Sequence, residues 1–181
     1  QAAGMSPDDV GYTPFGAGTG AGDAFATGSI PAVVLSSRQS EVLREKGMMK
    51  NARMLLDYHG KVMMPWNAFA LAEPFITSQP DVVHRMMRAI VKGARYTRAN
   101  RTQTIVMVDK YGPIGGEAAT AADYDDMVTT FSPTLTISNA FAVRDFAVRA
   151  ALENIPADRI PPIGKAYDFS AVGAVNAELD K

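Results

Sequence analysis

Residues 30–37 read Ile30-Pro-Ala-Val-Val-Leu-Ser-Ser37, and the reading of the fold turns on them. A continuous apolar run bounded by turn residues has no polar face, so it suits a strand buried on both sides, as in a parallel sheet. Ser36 and Ser37 end the run. Ser37 is placed to cap the helix that follows, with Glu41 near its first turn and Gly47 at its end. Upstream, residues 10–15 mix aromatic and β-branched types and read as a strand, followed by the glycine-rich turn 16–22 and a short helix over 23–27. Downstream, Arg53-Met-Leu-Leu-Asp-Tyr58 reads as a third strand. The order over 10–58 is β-α-β-α-β, which predicts an α/β fold with a short parallel sheet.

The second half has a different rhythm. Residues 67–72 alternate and suit one more strand, after the break at Pro65-Trp66. Pro80 opens a helix, Asp81 sits in its first turn, and Val83, Met86, Met87, Ile90 and Ala94 recur at helical spacing up to about Asn100. Further helices are predicted over 102–111, 117–131 and 138–154. Pro156 and Pro161-Pro162 break the chain, and Asp168 or Ser170 caps a last helix ending near Leu179. Two unequal parts result: an α/β piece over 1–60 and a helix-rich piece over 65–181. Three parallel strands with one or two helices leave edges and an apolar face uncovered.

Composition narrows the function classes. With 18 basic and 19 acidic residues the formal net charge is -1, so no electrostatic footprint for nucleic acid is present. The densest basic run, residues 92–101, falls on a helix face exposed to solvent. There is no cysteine, which removes disulfides, thiolate catalysis and iron–sulfur clusters. No apolar stretch approaches the ~20 residues that span a bilayer. The chain opens at Gln1 without a charged and then apolar leader, as expected where a signal peptide has been removed or where the sequence starts inside a gene.

Gly16, Gly18 and Ala21 fit a dinucleotide-binding spacing, but the next predicted strand ends in serines where that fingerprint needs an acid for the ribose. No Gly-Lys-Ser/Thr follows the glycines, so the turn is no P-loop. A glycine turn before a helix still exposes N–H groups that suit an anion or polar ligand, with Thr19 adding a hydroxyl; a merely tight turn would use the same glycines. His59 and His84 lie in different elements with no metal-ligand neighbour at helical spacing, and both read as surface residues. Asp123, Asp125 and Asp126 do not converge on one ion and read as a solvated face. Met86 and Met87 read as core packing. Trp66, the one tryptophan, stands at the joint of the two parts, where it either lines a cleft or plugs the core.

Residues 24–37, with Lys46-Gly47-Met48 and the 52–57 run, resemble a helix–glycine–strand segment, a helix and a strand of periplasmic solute-binding proteins. Residues 67–81 are similar to that group's return strand and Pro-Asp helix start, and 82–100 to its long helix. The group is the NMT1/THI5-like (SsuA/TauA-like) one, serving nitrate, sulfonate, taurine and thiamine-precursor import. At Pro31 the group usually carries Asp. The resemblance covers about residues 1–155 and implies a C-terminal portion of a type II periplasmic-binding fold, with 1–60 as most of a second lobe and 65–181 returning to a first lobe. It implies a periplasmic component of an ABC importer that closes on a small polar or anionic solute and docks on a membrane permease. No cofactor and no metal is expected. Gly18, Thr19, Ser36, Ser37, Trp66 and Asn67 would face the cleft. Apolar surface left open would favour a homo-oligomer. Two alternatives are a thiamine-pyrimidine synthase, whose cysteine-rich motif this chain lacks, and a non-catalytic helical interaction domain.

Overall fold

The computed structural model describes the chain apart from residues 1–3, 5, 16–19, 59–64, 66 and 113–114. The described residues form α1 (Gly20–Ala26), α2 (Ser37–Glu45), α3 (Glu73–Ser78), α4 (Pro80–Ala99), α5 (Arg101–Tyr111), α6 (Gly116–Thr130), α7 (Asn139–Glu153), α8 (Ile163–Ala166) and α9 (Ser170–Leu179). Short 3₁₀ turns occupy Pro7–Asp9 and Ala157–Arg159. None of the helices is long and apolar enough to cross a membrane.

The expected parallel sheet is not there. Among the described residues no strand occurs, and the segments 10–15, 30–35, 53–58 and 67–72 carry no ladder. The reason is physical. A strand exists only through hydrogen bonds to a neighbour, whereas apolar content records only a willingness to be buried. Here several of the apolar side chains face water, Val34 being 75% exposed and Phe69 70%, while Ile30, Val33 and Leu35 are only half-buried. The helices, whose hydrogen bonds are local, form close to where periodicity and caps place them. Two were not foreseen, α3 and α8, both too short to show a period.

The chain divides into two compact units, Gln1–Leu55 with Ile105–Asp126 and Leu56–Thr104 with Met127–Lys181. In the first, α1 packs on α2 at a close approach, where buried Gly22 lies against Leu43. A Cβ there would stand 3.1 Å from a Leu43 methyl, so the glycine sets the spacing. Leu43, Ala119 and Tyr124 are buried in this unit.

In the second unit the core lies between α4 and α9. Val91, Val172 and Val175 form it, flanked by Met87, Leu135, Phe169 and Leu179. Leu135 enters from a turn in which Ser132 Oγ donates to the Thr136 carbonyl and accepts from its N–H. Its positive φ of 58° costs on the order of 1 kcal/mol for a bulky residue, which burial against the valines offsets. Arg95 on α4 holds the end of α9, donating to Asn176 Oδ1 at 2.9 Å and pairing with Asp180 at 2.8 Å. Asn154 stops α7 in a left-handed conformation, φ 54°, that asparagine tolerates.

Candidate functional site

The start of α2 carries two of the sequence-predicted residues. The cap is Ser36, one residue earlier than expected, because Ser36 holds the extended backbone (φ −73°, ψ 162°) that lets a side chain reach back into the first turn. Ser36 Oγ accepts from Gln39 N–H at 3.2 Å, and Gln39 Oε1 accepts from Ser36 N–H at 2.9 Å. Both arms of a capping box are therefore made. Ser37 lies in the first turn and its hydroxyl donates to Asp126 on α6. Arg38 pairs with Asp123 at 3.0 Å. The reading of the aspartates as a solvated face thus needs correction. Two of the three turn to α2, where they complement its positive end and the Arg38 guanidinium. A carboxylate-sized negative group is stable at this place.

Asn67 is exposed, in the irregular segment before α3. Nearby Pro65 is half-buried, and its carbonyl accepts from Arg149 Nη2 at 3.1 Å. Arg149 belongs to α7 and grips Asp145 one turn earlier with its Nε, at 3.0 and 2.9 Å to the two carboxylate oxygens. Asp145 is buried, with 1% of its side chain exposed, and it also accepts from the Tyr167 hydroxyl at 3.3 Å. Tyr167 stacks between Phe146 and Phe169. Burial, and then Asp145, raises the Tyr167 phenol above its ordinary range. The hydrogen bond to Asp145 raises the Arg149 guanidinium further. The Asp145–Arg149 spacing of four on a helix was readable in the sequence, but the meeting with Tyr167 and Pro65 was not. Gly18, Thr19 and Trp66 lie outside the described residues, as does His59.

An open cleft of about 390 Å³ lies in the second unit, lined by Ile76, Pro80, Asp81, Val83, His84, Ser170 and Ala171. His84, read as a surface residue, is partly exposed and is engaged in a contact here. Its Nε2–H donates to Glu178 at 3.0 Å, since a carboxylate only accepts, and Arg88 Nε donates to the other oxygen at 2.7 Å. These bonds, His84 first, hold the Glu178 carboxyl below its usual range. Among the described residues no three His, Cys, Asp or Glu side chains gather as metal ligands.

The model of the NMT1/THI5-like family matches residues 1–104, more than half of the chain. The chain belongs to the NMT1/THI5-like family. No curated protein and no solved structure matches it. The NMT1/THI5-like family includes both solute-binding proteins and thiamine-pyrimidine synthases. The matched span includes the start of α2, Asn67 and all of α4.

Proposed function

We propose that this NMT1/THI5-like chain is the solute-binding component of an ABC-type importer, acting in the periplasm and delivering a small polar or anionic organic solute to a membrane permease. The solute class is sulfonate, nitrate or thiamine precursor. The observation that carries the reading is the start of α2. A helix N-terminus with Ser36, Ser37 and Arg38 is here complemented by two carboxylates, and the same chemistry accepts an anionic head group. In this reading the solute's anion takes the Ser37 hydroxyl from Asp126; the family resemblance, and not the geometry, adds Gly18, Thr19, Trp66 and Asn67 as ligand-contacting residues. Binding is non-covalent. The synthase alternative draws on a cysteine-rich motif, and this chain has no cysteine. Because Trp66 is the one tryptophan, its fluorescence reports a single position. Titration with taurine, nitrate and a thiamine pyrimidine should give a saturable change with one of them, weakened about tenfold by Ser37→Ala, the loss expected for one hydrogen bond to a charged group. No response to any of them, or turnover of the pyrimidine's precursors, would overturn the reading.

A further inference from the structure

The cleft of the second unit takes no part in the solute-binding reading, and its chemistry is of the opposite sign. Ile76 from α3, Pro80 and Val83 from the first turn of α4, and Ala171 from α9 give it apolar walls. Three polar side chains line the same space. Asp81 and His84 stand three positions apart, on one face of α4, and Ser170 opens α9. All of these residues belong to one compact unit.

Each polar side chain is left as an acceptor. The Asp81 carboxylate has no hydrogen-bond or ion-pair partner among the described residues, since Arg85 reaches only the backbone carbonyl, at 3.4 Å. His84 donates its Nε2–H to Glu178, so the neutral ring keeps Nδ1 as an acceptor. Arg88 holds Glu178 in turn, which fixes that tautomer. Ser170 directs its N–H and its hydroxyl hydrogen to Asp168, so Oγ keeps its lone pairs and has no hydrogen to give. With that proton committed to Asp168, Ser170, His84 and Glu178 do not form a hydrolytic triad. The starts of α4 and α9 carry a partial positive charge, about half a unit each, but Asp81 and Asp168 stand at those ends with a full negative charge apiece.

A space whose side chains offer acceptors and no free donor suits a ligand that brings donors. An ammonium group has three N–H donors and one positive charge, which match the three acceptors and the unpaired carboxylate. We propose that this cleft is a second binding site, taking a protonated primary amine on a small apolar body. The ammonium lies among Asp81, His84 Nδ1 and Ser170 Oγ, and the body lies against Ile76, Pro80, Val83 and Ala171. The volume of about 390 Å³ suits a ligand of this size. The site is independent of the solute-binding reading, whose anion site at the start of α2 belongs to the other unit.

Phenethylamine is the probe, titrated into the whole chain at about pH 8, below the ordinary range of an alkyl amine. Calorimetry reads the affinity, and the imidazole signals of the two histidines in an NMR spectrum read the place. Binding should saturate and shift the His84 signals. Phenethyl alcohol keeps the apolar body and loses the charge, while the N-trimethyl derivative of the amine keeps the charge and loses all three donors. Both should bind at least about tenfold more weakly, the loss expected for hydrogen bonds to a charged group. Asp81→Asn, at an exposed position, should weaken the amine about tenfold while its circular dichroism overlays the parent. Absence of saturation, equal affinity for the trimethyl derivative, or an Asp81→Asn variant that binds as the parent does would overturn the proposal. So would tighter binding of hydrocinnamate, since the helix ends would then be selecting an anion.

Discussion

Ser36 offers a test that separates folding from binding at one residue. Its Oγ closes the capping box of α2, a helix of nine residues, too short to persist in water without help. A serine cap is worth about 1 kcal/mol, and the main packing of α2 is one buried leucine, Leu43, worth about 2 kcal/mol. The cap is therefore a sizeable share of what holds α2 in place. Ser36→Ala should cost about 1 kcal/mol, Ser36→Gly a few tenths, and Ser36→Asp almost nothing because aspartate caps as well as serine. Amide exchange across residues 37–45 should rise about fivefold in Ser36→Ala and stay at the parent rate in Ser36→Asp. Binding should follow a different order. Ser36→Asp sets a negative charge where the solute's anion is proposed to sit, so it should weaken an anionic solute by at least about tenfold at unchanged stability. If Ser36→Ala leaves exchange unaltered, the capping box does not hold α2. If Ser36→Asp binds the anion as tightly as the parent does, the start of α2 is not the site.

Val175 is fully buried between α4 and α9; Val175→Ala removes two methyl groups and leaves a cavity. The transfer and cavity losses less alanine's better helix propensity give about 2 kcal/mol, readable as a lower urea midpoint at constant slope; under 0.5 kcal/mol would mean that α4–α9 is not the core of its unit. Glu178 has a folded pKa below its unfolded value, so its contribution is present above the ordinary glutamate range and is lost as pH falls through the folded value. Glu178→Gln should therefore be less stable than the parent at neutral pH and converge with it in acid, and parallel acid melting curves would count against the His84–Glu178–Arg88 contact. For Tyr167 the folded pKa is raised, so its contribution holds below the ordinary phenol range and falls away as pH climbs through the raised value. Alkaline unfolding should be delayed in Tyr167→Phe.

What was legible in the sequence follows the range of the interactions. Proline at the start of α4, valines and methionines at helical spacing along it, and glycine at the end of α2 are local signals, and those helices lie close to where they were expected. Ser36 rather than Ser37 is the cap because the choice depends on one residue's backbone angles, which spacing alone does not specify. Contacts such as Arg38 with Asp123, or Arg149 with the Pro65 carbonyl, join residues more than eighty positions apart, and no pattern within a helix announces them. The strands fail for a related reason. A run such as 53–58 states that its side chains would be more stable away from water and that its backbone favours pairing, but it does not say with what. In this chain the described residues supply no pairing strand, so the preference remains unmet and visible as exposed Met54, Leu55 and Leu56.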